Sequence, residues 1–133
     1  MASRRVEDLS EPVRYMAMKF IAECKRNGLE VLIYCTLRSN AEQAALYKIG
    51  RGVAGAIVTY AKAGQSKHNP DKNGKAWAFD AVPVKNGVAM WSDLRSIKKM
   101  GAIGESVGLK WSGLWTRNPE YVHFELEQKM IDD

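Results

Sequence analysis

Apolar positions in this chain recur with different rhythms, and each rhythm marks a different kind of element. From Glu11 to Arg26, the residues Val13, Met16, Ala17, Phe20, Ile21 and Cys24 fall at helical spacing, so one face of a helix is core. Ser10 stands where a cap belongs, Pro12 suits the first turn, and Asn27-Gly28 supplies the stop. "LEVLIYC", Leu29 to Cys35, is a nearly continuous apolar run and reads as a buried strand. A second helix follows near Asn40 to Ile49, opened by Ser39 and Glu42 at capping-box spacing.

Gly50 to Gln65 keeps no period; its glycines and small residues predict a long loop or a short irregular strand. "AWAFDAVPV" predicts a strand closed by Pro83, and "KNG" at Lys85 to Gly87 a turn from which "VAMW" pairs back as a hairpin arm. Asp93 to Val107 predicts a third helix, capped by Ser92 or Asp93, stopped by Gly108 and weakened by Gly101 and Gly104. "WSGLW" reads as a loop, "EYVHFEL" as a final strand, and the last residues as a helical or frayed tail. The order α-β-α-β-β-α-β points to an α+β fold, with helices packed against a small, mostly antiparallel sheet. The expectation is one domain over residues 1–133.

Composition changes this picture little. The 46% hydrophobic and 26% charged content suits a soluble globular chain, and no apolar run approaches the roughly 20 residues that span a bilayer. "MASRRVEDLSEP" has arginines but no apolar stretch, so the expectation is synthesis in the cytoplasm without a signal peptide. The net charge of +5 favours anionic partners, among them nucleic acid, a cell-wall polymer or a membrane surface, without choosing between them. Cys24 and Cys35 lack CxxC spacing and read as small buried hydrophobes rather than a disulfide.

The chemistry gathers at two histidines. Asp80 lies between Phe79 and Ala81, where an unpaired buried carboxylate would cost several kcal/mol. It is either a surface-facing residue of a half-buried strand or a carboxylate compensated by a metal or cation. His123, in an alternation that groups Tyr121, His123 and Glu125 on one face, is either a hydrogen-bonded half-buried histidine or a ligand. His68, Asp80 and His123 together would make a two-histidine, one-carboxylate zinc site with an open fourth position. Spacing alone does not decide it, because eleven residues separate His68 from Asp80. "NPDKNG" matches part of a calcium-loop pattern, but Asp80 stands where that pattern wants glutamate, so a polar turn is the reading.

Three motifs then carry a resemblance. "SKHNPDKNGKAWAFD" resembles the S-x-H…A-x-D signature of zinc peptidases that cut peptidoglycan stem peptides: D-alanyl-D-alanine carboxypeptidases and dipeptidases, and phage L-alanyl-D-glutamate endolysins. "EYVHFE" resembles their second signature, and "YCTLRSNAEQAALYKIGR" another, with Arg38 and Gln43 in matching places. "GLKWSGLW" is similar to their Trp-rich turn. The resemblance implies zinc ligands at His68, Asp80 and His123, a general base at Glu120, and a carbonyl- or carboxylate-holding cation at Arg38. It also implies Ser66 as a substrate-orienting or supporting hydroxyl. This chain departs from the family pattern in its longer His-to-Asp gap, an inserted rim loop, and in Ala76 where the family has glycine.

Periodicity alone favours Glu125 as the base, since it shares a strand face with His123, whereas the resemblance favours Glu120; Glu125 then orients a ligand from behind. Trp115 or Trp111 is a candidate groove wall. The reading is a monomeric zinc peptidase of the peptidoglycan stem peptide, with no nucleic-acid partner and no membrane insertion. It favours an L-alanyl-D-glutamate endopeptidase of the endolysin type, made in the cytoplasm and acting on the wall after release. The alternatives are a D-alanyl-D-alanine carboxypeptidase, a catalytically silent zinc-binding module, or a basic nucleic-acid module with "KHN" in a metal nuclease, for which no second nuclease signature stands in the chain.

Overall fold

Helix α1, Glu11–Arg26, turns Val13, Ala17, Phe20 and Cys24 inward and buries them completely, as their spacing requires. A computed structural model describes residues 2–126 of the chain. Ser10 holds the position before α1, but its hydroxyl caps no helix N–H. Its backbone joins instead in a bridge to Ala76: Ser10 N donates to Ala76 O at 2.8 Å, and Ala76 N to Asp8 O at 3.0 Å. Strand β1 follows at Glu30–Cys35. Helix α2, Asn40–Lys48, opens with both halves of the capping box, Ser39 Oγ accepting from Glu42 N and Glu42 Oε1 from Ser39 N.

Strand β2, Ala78–Lys85, runs through Pro83 rather than ending at it. Pro83 still pairs with Val31 of β1, and its carbonyl accepts from Met90 N at 2.8 Å. The last strand, β5 at His123–Glu125, pairs with β2 only at Ala78 to Asp80, so the missing N–H of Pro83 interrupts no pairing with it. The arm β3 is short, Val88–Ala89, and helix α3, Leu94–Val107, is capped by Asp93 Oδ1 accepting from Ser96 N. Lys110–Trp111 forms β4, where a loop was expected, and the last strand, β5, is confined to His123–Glu125. The expected tail lies outside the described residues. The sheet has the order β1-β2-β5-β4 with β3 on the β2 flank, and every strand pair is antiparallel.

Helices α1 and α3 cover one face of this sheet. There Phe20, Phe79 and Phe124 meet with centroids 4.8 to 5.6 Å apart, joined by Ile97, Met100 and Trp111. Gly101 and Gly104, which lower helix propensity, are where α3 comes close to rings of the sheet. A Cβ at Gly101 would lie 2.3 Å from the Trp111 ring, and one at Gly104 2.3 Å from Phe124. The opposite face of β2 is also covered, since Ala78 and Val82 are fully buried with Asp80 between them. No helix among the described residues is long and apolar enough to cross a membrane.

Candidate metal centre and active site

Strand pairing alone brings three chemically active residues into one row. Cys35 on β1 pairs with Asp80 on β2, which pairs in turn with His123 on β5. A bulge between Ile33 and Cys35 skips Tyr34, so Cys35 and not the tyrosine stands opposite Asp80. His68 joins the row from the loop before β2. That loop is pinned: His68 N donates to Ser66 Oγ at 3.1 Å, Arg38 N to His68 O at 2.8 Å, and Trp77 N to Lys67 O at 2.8 Å. Asn69 braces it further, its Oδ1 accepting from Gly64 N and Ser66 N and its Nδ2 donating to Arg38 O.

At the centre, His68 Nε2 lies 3.0 Å from Asp80 Oδ1, and His123 Nδ1 lies 3.2 Å from each of them. The partners on the far sides of the rings settle which nitrogens carry hydrogen. His68 Nδ1 is 2.7 Å from Thr36 O, which only accepts, so Nδ1 donates and Nε2 of the neutral ring presents a lone pair. His123 Nε2 is 2.9 Å from Glu125 Oε1, so Nε2 donates and Nδ1 presents a lone pair. Three lone pairs therefore converge, from side chains only 3%, 7% and 14% exposed. Such a cluster demands positive charge between its members. Without an ion a proton supplies it. Burial opposes protonation of His68, but its hydrogen bond to Asp80 outweighs this and carries the imidazole up to about 10. Burial likewise opposes the ionised form of Asp80, yet the two histidines hold its carboxyl well below the usual range. His123 is raised against the same burial by Asp80 and Glu125.

The donor set fits a metal. Ligand atoms of a tetrahedral zinc site stand about 3.3 Å apart at ordinary bond lengths, close to the three edges found here. Cys35, His68 and Asp80 also form a buried group able to hold a metal, with ligand atoms within 4.8 Å of one another. The Cys35 thiol, however, sits 3.7 Å from His68 Nδ1, the edge already given to Thr36, whereas His123 closes the triangle on the lone-pair edge. The histidine is the better third ligand.

The cluster forms the floor of a cavity of about 500 Å³. Arg38, Ser66, Trp115, Glu120 and Glu125 line it, together with Thr59 to Ala61 from the loop after α2. Trp115 stands beside the cluster, its ring 5.8 Å from that of His123. Among the described residues, the Glu120 carboxylate makes no hydrogen bond or ion pair, so it is free to act, while Glu125 is committed to His123. Gln43 does not line the cavity. Fully buried, it accepts from Arg38 Nη1 at 3.0 Å through Oε1 and donates through Nε2 to Ala61 O at 2.7 Å, tying the arginine to the cavity wall.

The inserted rim segment folds on itself. Asp71 Oδ1 accepts from Asn73 N and Lys75 N, and Oδ2 accepts from Trp77 Nε1 at 2.8 Å, so its carboxylate is used within the turn. Sequence reasoning missed the Thr36 carbonyl, the nearness of Cys35, and Arg117 on the cavity wall. A cation two residues past Trp115 in the Trp-rich turn was the available signal for the last of these.

This fold and site define a peptidase class. A family profile described as D-alanyl-D-alanine carboxypeptidase matches residues 59–126. The peptidoglycan L-alanyl-D-glutamate endopeptidase CwlK of Bacillus subtilis (strain 168) is 33% identical over 129 residues, an alignment covering 90% of this chain and 74% of CwlK. The L-alanyl-D-glutamate peptidase of Listeria phage A118 is 29% identical, over 93% of this chain and 40% of that protein. Among solved structures, the Serratia marcescens L-Ala D-Glu endopeptidase ChiX superposes with a TM-score of 0.69 at 16% identity, covering 100% of this chain and 93% of ChiX. The chain belongs to the D-alanyl-D-alanine carboxypeptidase family of metallopeptidases, and it is an enzyme.

Proposed function

We propose that this peptidase is a zinc enzyme that cuts the peptidoglycan stem peptide between L-alanine and D-glutamate. The observation that carries the reading is the convergence of three buried lone pairs, on His68, Asp80 and His123, at the floor of a cavity that also holds a free glutamate. In this reading the three residues hold zinc, which when bound supplies Lewis acidity towards a water and the scissile carbonyl. The choice of zinc rests on two imidazoles and one carboxylate at tetrahedral spacing.

The chain's own groups do the rest. Thr36 O and Glu125 fix the tautomers and orientations of the two histidines from behind, which sustains ligand basicity. Glu120 takes a proton from the attacking water and returns it to the departing amine, the two halves of general acid–base catalysis. Arg38, held in place by Gln43, faces the developing negative charge on the carbonyl oxygen. Ser66 shapes the loop that delivers His68, and Trp115 supplies an apolar wall that sheds water from one side of the site.

Support for the bond comes from the two relatives named above, both described by L-alanyl-D-glutamate cleavage. A phage relative and a charge of +5, which draws the protein to an anionic wall, support a role in lysis with residues 1–133 as one catalytic domain. Mass spectrometry of digested muropeptides tests it. The expected products are muramyl-L-alanine and a peptide beginning with D-glutamate, lost with a chelator and restored by zinc. Free D-alanine, with the stem still joined to muramic acid, would establish the carboxypeptidase alternative instead.

A further inference from the structure

Two cations on the cavity wall have no partner among the described residues. Lys67, beside His68, and Arg117, two residues past Trp115, both line the cavity. Among the described residues, neither side chain makes a hydrogen bond, ion pair or ring contact. Neighbouring cations are engaged. Arg38 donates to Gln43 and approaches Cys35 Sγ at 3.5 Å; Arg51 lies 3.8 Å from the Tyr47 ring centre and donates to Tyr47 O and Thr59 O; Lys75 Nζ donates to Glu7 O. Of the cavity's three carboxylates, Asp80 is held by two histidines and Glu125 by His123, while Glu120 forms no ion pair with either cation.

Both cations stand on braced backbone. Lys67 O accepts from Trp77 N, fixing the residue next to the cluster. Ser112 O accepts from both Trp115 N and Glu120 N, at 3.2 and 3.1 Å, and so closes the base of the loop that carries Arg117 and Glu120 together. Arg117 is thus tied to the frame of the free glutamate rather than to a separate surface loop. Unpaired cations converging on one cavity present a ready site for an anion, and a guanidinium fits a carboxylate with two parallel hydrogen bonds.

Resting on the peptidase reading, we infer that Lys67 and Arg117 bind a free carboxylate of the substrate and set the enzyme's preference for acidic peptides. An L-alanyl-D-glutamyl peptide offers two such groups: the glutamyl carboxylate that does not carry the chain onward, and the C-terminal carboxylate. The chemistry is shared, and amidating one group at a time separates the sources.

The test is calorimetric binding to the zinc-loaded Glu120→Gln protein, so that no turnover intervenes. Three forms of one L-alanyl-D-glutamyl peptide are compared: both carboxylates free, the glutamyl one amidated, and the C-terminal one amidated. One amidation should weaken binding about tenfold, the loss of a charge-assisted contact. Adding Arg117→Gln or Lys67→Gln should bring that ratio towards one while zinc content is retained. Equal binding of all three forms, binding of none, or a ratio unchanged in both variants would overturn the inference. The proposed cleavage site fails separately: wild-type enzyme cutting a bond other than that between L-alanine and D-glutamate, with the acid preference intact, would remove that reading and leave this one.

Discussion

Glu125 Oε1 lies 2.9 Å from His123 Nε2, on the side of the ring turned away from Asp80. That contact separates two glutamates that the strand pattern alone confuses. A carboxylate that holds a ligand's tautomer affects metal affinity, whereas an unengaged one at the cavity wall affects the reaction. Glu125→Ala should therefore weaken zinc binding by about 10- to 100-fold. Glu120→Gln should keep zinc and lose roughly two to four orders of magnitude in kcat. Competitive chelator titration and steady-state kinetics on both variants check the pair; the reverse pattern would exchange their roles.

Gln43 joins Arg38 to Ala61 O from a fully buried position. Gln43→Leu keeps comparable volume but strips both partners of their hydrogen bonds, so a loss of about 1–3 kcal/mol in unfolding free energy is expected. Because Arg38 loses its brace, kcat should fall as well. Urea unfolding together with kinetics measures both, and full activity in a destabilised variant would show that Arg38 needs no such support.

Gly104→Ala sets two effects against each other. Helix propensity alone would make the change favourable by about 1 kcal/mol. The new Cβ would instead stand 2.3 Å from Phe124, a ring hemmed in by Phe20 and Phe79. Overpacking of this kind costs about 1–3 kcal/mol, so the variant should melt lower. Since Phe124 adjoins His123, zinc affinity should fall too, and a raised melting temperature would contradict the packing argument.

The metal-free cluster makes stability depend on pH in a defined direction. His68 titrates near 10 in the folded chain, above the unfolded value of about 6.5, so its contribution is complete below about 6.5 and is lost as pH rises towards 10. The carboxyl of Asp80 is depressed, so its contribution is present above about 3.9 and is lost as the solution turns more acidic. Thermal melts of metal-free protein should thus be highest between about pH 4 and 6.5. Zinc replaces the proton, so the loaded protein should resist the alkaline decline, and loading should release protons. A metal-free melting temperature that rises from pH 7 to 9 would contradict this.

How much could be foreseen differs from element to element. Helices α1 and α2 end within a residue of the expected places, because Asn27-Gly28 and the Ser39–Glu42 box are local signals that tertiary contacts do not override. The α+β class was likewise readable from period, and His68, Asp80 and His123, grouped by motif, lie within 3.2 Å of one another, with their role as ligands resting on the proposal above. Pro83 misled because a proline's effect depends on which strand lies beside it, and that is a property of the sheet. Ser10 misled similarly, since its backbone serves a bridge to Ala76, 66 positions away. The loop after α2 has no period of its own. Its place on the cavity wall comes from Gln43 and Arg51, through contacts made only after folding. The contact that sets Glu125 apart from Glu120 is made to a ring nitrogen of His123, which no pattern of residues contains.

Zinc content tests the central claim most directly. Elemental analysis of the purified wild type and of His123→Ala, Asp80→Ala and Cys35→Ser should find one zinc per chain in the wild type and in Cys35→Ser, and little or none in the other two. Zinc retained in His123→Ala and lost in Cys35→Ser would contradict the account, because the metal would then lie with the thiol rather than on the lone-pair edge shared by the two histidines and Asp80.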